Sequence, residues 1–172
     1  AITYTTTADA SGNWSIDTAT ATPTSGTLPA AGLPDGNVGL QVIATGASGN
    51  ASAPGTSSFV EDHAAPTAPT IGLKHDAADD TGASATDTIT ANTRPALVGT
   101  AEANRTVTAT GTPASGGPIT YTATTDASGN WSVDTSTVTP TTGTWPATGL
   151  VDGTVGLQVS STDAAGNVTT TG

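Results

Sequence analysis

Residues 126–135 read Asp-Ala-Ser-Gly-Asn-Trp-Ser-Val-Asp-Thr, and residues 9–18 repeat this stretch with one change, Ile16 in place of Val133. The first five residues predict a tight turn, because Asp, Gly and Asn tolerate turn conformations that other residues avoid. From Trp131 onward, large apolar residues alternate with polar ones, which is the period of a strand with one buried face. The stretch predicts that Trp131 is a core anchor; an exposed aromatic platform for sugar is the alternative.

The repeat extends far beyond this stretch. Residues 1–55 align with residues 118–172 at a constant offset of 117 without a gap, and 36 of the 55 aligned positions are identical. A match of this length indicates a tandem array of like units. Because residues 66–117 have no upstream counterpart, we expect 1–62 to be the C-terminal part of one unit plus a linker. Residues 63–172 are expected to form one complete unit.

The phase of the repeat leaves residues 1–55 without the strands that residues 66–117 would supply. Half a sandwich exposes a core face and at least one sheet edge. We therefore expect Trp14, the counterpart of Trp131, to find no cover within this chain. A preceding segment or a neighbouring molecule is expected to provide it.

Short runs with period-two alternation recur along the complete unit, and no stretch has helical periodicity. Turn residues such as Gly, Asn and Asp separate the runs. This pattern predicts an all-β fold, an antiparallel β-sandwich. The predicted strands are 70–74, 86–90, 95–100, 105–110, 119–124, 130–134, 153–162 and 167–170.

Three further features of the sequence concern the core and the connection between units. Val155, Leu157 and Val159 alternate with small or polar residues, so they predict a central strand with one buried face. Trp145 stands where the first copy has Leu28, so that position is expected to require only bulk. Residues 56–69 contain prolines and an acidic pair and are expected to form a short, semi-rigid link between units.

Composition excludes several classes of function. The chain has 3 Lys and Arg against 14 Asp and Glu, a net charge of −11, so neither nucleic acid nor an anionic membrane surface is an expected partner. No apolar run approaches the roughly 20 residues of a membrane span, so no membrane insertion is expected. Cysteine is absent, so disulfides do not stabilise the fold.

Several motifs together resemble the bacterial immunoglobulin-like (Ig-like) tandem repeats of giant biofilm and surface adhesins. The resemblance implies a fold of Ig-like antiparallel β-sandwich repeats, here one truncated and one nearly complete. It also implies an extracellular extender at the cell surface or in the biofilm matrix, with neighbouring identical repeats in the same or adjacent chains as partners. The motifs are DHAAPTAPTI (62–71), DDTGASATDTITANTRPALVGTAEA (79–103), DASGNWSV (126–133), LVDGTVGLQV (150–159) and TDAAGNVT (162–169).

Carboxylates suited to calcium are the one chemical feature that the residues themselves suggest. Asp76, Asp79, Asp80 and Asp87 fall within twelve residues of a turn-rich stretch, and Ca²⁺ prefers oxygen ligands on flexible loops. A solvated acidic loop in which Asp caps turns is the alternative.

The resemblance adds a second candidate calcium site at the junction between units. There Glu61 and Asp62 would meet a loop of a neighbouring unit like the one that carries Asp163. The first copy has Gly46 at the position of Asp163, so the junction within this chain lacks that carboxylate.

Catalysis finds little support in the sequence. A nucleophilic triad needs a positioned base, and the imidazoles are His63 in the link and His75 in the acidic stretch. Neither recurs in both copies, so no enzymatic activity is expected.

The leading hypothesis is therefore a non-enzymatic spacer of an adhesin or matrix protein. One alternative is a subunit of an extracellular filament, completed by strand addition from another chain. Another is a carbohydrate-binding or ice-binding module that uses threonine rows such as Thr3, Thr5 and Thr7 or Thr106, Thr108 and Thr110.

Overall fold

The computed structural model describes residues 1–172, which form β-strands and turns and no helix. They make two compact units, Ala1–Asp62 (unit 1) and His63–Gly172 (unit 2). Unit 1 contains two strands, β1 (Gly36–Val42) and β2 (Gly55–Glu61). Unit 2 contains seven: β3 (Gly72–Leu73), β4 (Ala96–Thr100), β5 (Thr106–Thr112), β6 (Ile119–Thr124), β7 (Asn130–Asp134), β8 (Gly156–Thr162) and β9 (Val168–Thr171).

Unit 2 is built from two antiparallel sheets. One has the strand order β3-β4-β7 and the other has the order β6-β5-β8-β9. Strand β5 therefore pairs on both sides, with β6 on one and β8 on the other. The prediction of an all-β antiparallel sandwich is confirmed.

The core of unit 2 is made by alternate residues of these strands. Trp131 is 4% exposed, Val133 3% and Val159 0%, as predicted, whereas Leu157 and Val155 are only partly buried. The core reading of Trp131 is confirmed, and the alternative of an exposed sugar platform at this position is wrong. The buried cluster consists of Leu97, Val107, Ala109, Ile119, Tyr121, Trp131, Val133 and Val159.

The indole of Trp131 fits because the residue opposite it on β4 is Gly99. A Cβ at Gly99 would lie 2.8 Å from Cζ2 of Trp131 and would overlap the carbonyl oxygen of Thr70. Any larger residue would therefore displace the indole or the backbone at Thr70, just before β3.

Two predicted elements are wrong. Residues 86–90 form no strand, and Thr88 has a φ of +63°, which is incompatible with an extended chain. Residues 56–61 were expected to belong to the link, but they form most of β2 and pair with β1 from Gly36 to Gln41. The available edge of β1 makes these residues a strand despite their weak alternation.

The first and last segments of unit 2 lie side by side. The hydroxyl of Thr169 donates to the Pro66 carbonyl at 2.8 Å, and the hydroxyl of Thr171 donates to the Pro69 carbonyl at 2.5 Å. These two bonds join the first and last segments of unit 2 through threonine side chains. Because both residue numbers rise together, the two segments run in the same direction.

Trp131 and Trp14 provide a matched test of the core. Trp131→Ala is expected to lower the free energy of unfolding of unit 2 by about 3 to 5 kcal/mol, because it leaves a cavity. Trp14→Ala is expected to change stability by less than about 0.5 kcal/mol, since Trp14 is 53% exposed. Urea unfolding of the full chain, followed by circular dichroism, measures both. Equal losses in the two variants would contradict this assignment of the core.

Candidate functional site

Unit 1 presents an exposed apolar face, which we call the unit 1 face. It consists of Val38, Leu40 and Val42 on β1 and Phe59 on β2. Val38 lies directly opposite Phe59 in the ladder, so the two share one side of the hairpin. The exposed fractions are 53% for Trp14, 49% for Leu40, 43% for Val42 and 41% for Phe59. The expectation that Trp14 finds no cover within the chain is confirmed.

The corresponding residues of unit 2 have the opposite environment. Trp131 and Val159, the counterparts of Trp14 and Val42, are 4% and 0% exposed. Leu157, the counterpart of Leu40, packs against the buried cluster. The same residue types at matching positions are thus buried in unit 2 and exposed in unit 1.

Backbone pairing differs between the units in the same way. Residues 13–17 form no strand in unit 1, whereas their counterparts form β7. Strand β7 pairs with β4, which has no equivalent in residues 1–62. Likewise, residues 2–7 contribute a single bridge, Thr3 to Ser25, whereas their counterparts form the whole of β6, paired with β5. Residues 2–7 and 13–17 therefore lack the partner strands that their counterparts have in unit 2.

A second candidate site is the loop that joins β3 to β4 in unit 2, residues 74–94. The Asp76 carboxylate accepts from the backbone N–H groups of Ala78 at 3.0 Å and Asp79 at 2.9 Å, and it lies 2.7 Å from Nζ of Lys74. These contacts, with the bond from Lys74 foremost, hold the pKa of Asp76 below its ordinary value. Asp76 therefore fixes the first turn of the loop.

Asp79 and Asp80 are buried, at 9% and 1% exposure. Oδ1 of Asp79 accepts from the Ala96 N–H at 2.8 Å and from Nδ2 of Asn92 at 3.2 Å, so it anchors the start of β4. Oδ2 of Asp80 lies 2.8 Å from Nδ1 of His75, while its Oδ1 is buried without a hydrogen-bond partner. These two carboxylates are structural elements of the fold and not part of a solvated loop.

The predicted calcium ligands are not gathered into one cluster. Asp87 is exposed and its Oδ1 accepts from the Ile89 N–H at 3.1 Å. No group of three or more His, Asp or Glu side chains is arranged to hold a metal ion. Calcium binding by Asp79, Asp80 and Asp87 stays a prediction.

The junction carboxylates occupy separate local settings. Glu61 ends β2 and Asp62 follows it. Oδ1 of Asp163 accepts the backbone N–H groups of Ala165, Gly166 and Asn167 at 2.8 to 2.9 Å, and its Oδ2 accepts from Nδ2 of Asn167 at 2.9 Å. The bonds from Asn167, its side chain foremost, help to lower the pKa of Asp163. Asp163 caps its own turn, and its role as a calcium ligand stays a prediction.

The structure also shows the surroundings of three other residues that the sequence singled out. His75 is 47% exposed at its side chain, and its Nδ1 lies 2.8 Å from Oδ2 of Asp80. His63 lies at the start of unit 2. Trp145 requires more than bulk: its Nε1 donates to the Thr93 carbonyl at 3.1 Å, and Cζ of Arg94 lies 5.6 Å from the ring centroid.

The row of Thr106, Thr108 and Thr110 lies on the outer side of the four-stranded sheet, whereas Thr3, Thr5 and Thr7 lie in unit 1 outside any strand. Thr106, Thr108 and Thr110 of β5 face threonines of β6 in register, and the hydroxyls of Thr110 and Thr120 lie 3.2 Å apart. In unit 1, the hydroxyl of Thr5 lies 3.4 Å from that of Thr24. Hydroxyl groups of both rows therefore engage other threonines of the chain.

Comparison with known proteins identifies the family to which this fold belongs. The family model of the bacterial Ig-like domain matches residues 66–172, which is all of unit 2 from its first buried proline onward. The chain belongs to the bacterial Ig-like domain family. This confirms the resemblance and the Ig-like sandwich.

A solved structure similar to this chain is described as a tetra-tandem repeat in the extending region of a large adhesion protein. The two are 24% identical with a TM-score of 0.45, over 81% of this chain and 31% of that one. No curated protein matches the sequence significantly. No helix is long and apolar enough to cross a membrane.

The buried carboxylate of Asp79 can be tested against Asp87 in the same loop. Asp79→Ala is expected to cost about 1 to 3 kcal/mol of Ig-like unit stability, because the buried Ala96 N–H loses its acceptor. Asp87→Ala is expected to cost less than about 0.5 kcal/mol, since Asp87 is exposed. Urea midpoints of the full chain give both values, and a silent Asp79→Ala would show that the anchor at β4 is unimportant.

Calcium binding is tested by thermal melts of the full chain in millimolar Ca²⁺ and in chelator. A bound ion raises the melting temperature by linkage, since it binds the folded state alone. The shift is expected to disappear in a triple variant with Asn at positions 79, 80 and 87. Melts that coincide in calcium and in chelator remove the calcium prediction for this chain.

Proposed function

We propose that this chain is a non-enzymatic extender segment of a bacterial extracellular adhesin or biofilm matrix protein, exposed at the cell surface. Its partners are neighbouring repeats of the same kind. The proposal rests on the family and on the internal repeat, which supplies length by adding like units.

The observation that carries the proposal is the direction of the first and last segments of unit 2. Thr169 and Thr171 bond to Pro66 and Pro69 with the two segments running the same way. A chain with this arrangement enters the sandwich at one end and leaves it at the other. An extender role needs this arrangement, because a unit that began and ended at the same end would add little length to an array.

The charge of the chain supports the same role. A net charge of −11 with 3 cationic residues gives every unit an acidic surface. Like charges on successive units repel one another, which keeps an array extended and soluble. This repulsion is screened beyond about 8 Å at physiological ionic strength, so it acts between adjacent surfaces only.

The proposal predicts that length is additive. Residues 56–172 form one period, and joining residue 172 to residue 56 recreates the native Gly-Thr peptide bond, because Gly172 is the counterpart of Gly55. In proteins of one, two and four periods, the maximum dimension from small-angle X-ray scattering is expected to rise by a constant step. The step is expected to exceed about 23 Å, the length of a seven-residue strand.

The same scattering measurement in 1 M NaCl, where the Debye length is about 3 Å, tests whether the extension comes from charge repulsion or from the direction of the chain through each unit. A maximum dimension that grows only as the cube root of mass would refute the extender role. A constant step that is present at low ionic strength and lost in 1 M NaCl would assign the extension to charge repulsion and not to chain direction.

A further inference from the structure

The dipeptide Asp152–Gly153 lies exposed in the loop between β7 and β8. Glycine follows an aspartate at one other place in the chain, after Asp35. There Gly36 is the first residue of β1 and pairs with Glu61, whereas Gly153 lies outside any strand. Asp152–Gly153 is therefore the aspartyl-glycyl bond that no strand holds in place.

Neither the carboxylate of Asp152 nor the N–H of Gly153 is engaged by the fold. No hydrogen bond or ion pair of the structure involves either group. Asp126, in the turn between β6 and β7, differs in this respect. Its carboxylate accepts the N–H groups of Ser128 at 2.8 Å and of Asn130 at 2.9 Å. The side chain of Asp152 is thus free to rotate toward the nitrogen of the next residue.

Packing explains why a glycine follows Asp152. Gly153 has a φ of +144°, a conformation that glycine adopts readily because it has no Cβ. A Cβ on Gly153 would lie 2.7 Å from Cβ of Ala114, which is too close for two such carbons. The fold therefore requires, directly after an unengaged carboxylate, a residue whose nitrogen no side chain shields.

We propose that Asp152–Gly153 is a site of spontaneous covalent modification, at which Asp152 is converted to isoaspartate through a cyclic imide. The reaction releases one water molecule and takes one up again, so it needs no enzyme, oxidant or reductant. The observation that carries the proposal is the exposure of both reacting groups in a loop where neither has a hydrogen-bond partner.

The first step closes the ring. The amide nitrogen of Gly153 attacks Cγ of the neutral carboxylic acid of Asp152. A bond forms between this nitrogen and Cγ, the bond from Cγ to the hydroxyl oxygen breaks, and the amide proton leaves with the hydroxyl as water. Water then adds to the imide at the main-chain carbonyl of Asp152, and the C–N bond there breaks. The chain now runs through Cβ and Cγ, and the former main-chain carbonyl carbon has become a free carboxylate.

Hydrogen bonds protect the aspartates that cap turns from the same reaction. The bonds to Asp126 must break before its Cγ can turn toward the next nitrogen. These bonds, led by the one from the Asn130 backbone, also lower the pKa of Asp126. A lower pKa reduces the fraction of the neutral acid that ring closure needs. Selectivity for Asp152 therefore comes from the fold as well as from the glycine that follows it.

The modification changes the loop in two ways. The main chain becomes one carbon longer beside Ala114, where there is no room for a methyl group on Gly153. The new carboxylate lies in an exposed stretch, residues 151–154. It is thus accessible to an isoaspartate methyltransferase, which serves as a probe for the modified residue.

The test follows isoaspartate in the full chain over several weeks at neutral pH, folded in buffer or unfolded in guanidinium chloride. Electron-transfer mass spectrometry of its peptides distinguishes isoaspartate from aspartate at each position. At Asp152 the rate in the folded chain is expected to stay within about 10-fold of the unfolded rate, because an exposed loop opens at little cost in free energy. A rate at Asp152 that folding lowers by more than about 10-fold would show that the fold protects the site and would overturn the proposal.

Asp126 is the internal control, and comparing each site with itself cancels the effect of the residue that follows. Folding is expected to slow isomerisation at Asp126 by more than about 10-fold, because hydrogen bonds to its carboxylate must break first. Equal slowing at Asp126 and Asp152 would overturn the selectivity that we assign to the fold.

The variant Asp152→Glu identifies the reacting residue. It keeps the charge at an exposed position without contacts, but its side chain would have to close a larger ring, which forms much more slowly. Methyl transfer from labelled S-adenosylmethionine by an isoaspartate methyltransferase is expected to mark the peptide that contains residue 152 in the aged native chain and not in the variant. Equal labelling of this peptide in both chains would overturn the assignment to Asp152.

Discussion

The pairing of β5 on both of its edges is the constraint on which unit 2 depends. Strand β5 joins β6 to β8, and its inward residues Val107 and Ala109 are almost fully buried. The pairs between β5 and β8 connect residues about fifty positions apart, so forming them requires closing a long loop. Once they form, the apolar residues of β6, β7 and β8 have a surface to pack against.

The two units contain nearly the same stretch of sequence, residues 1–55 and 118–172, in two different structural environments. Turns form in both: Asp9 accepts from the N–H groups of Ser11 and Asn13, as Asp126 does from Ser128 and Asn130. These bonds, led by the one from the Asn backbone, lower the pKa of both carboxylates. The strands that follow the turns form only in unit 2. Local hydrogen bonds are thus insufficient to make residues 13–17 a strand.

The acidic residues have two structural roles that composition does not distinguish. Several of them cap turns at the surface, as Asp126 and Asp163 do. Asp79 and Asp80 are instead buried, where one anchors β4 and the other contacts His75. Burial of a carboxylate requires compensating donors, and the loop of residues 74–94 is folded so that backbone and side-chain groups provide most of them. This organisation explains why residues 86–90 turn back with a positive φ at Thr88 and form no strand.

The sequence alone determined the repeat, the antiparallel β class, the positions of the turns and the burial of Trp131, Val133 and Val159. These follow from period-two alternation and from Asp, Asn and Gly side chains that act within a few residues of themselves. Tertiary structure decided whether a predicted strand forms at all, as residues 13–17 and β7 show. It also made residues 56–61 a strand, gave Trp145 its contacts with Thr93 and Arg94, and drew Asp79 and Asp80 inside. The physical reason is that a strand is stabilised by hydrogen bonds to residues far along the chain, whereas a turn is closed by hydrogen bonds among its own residues.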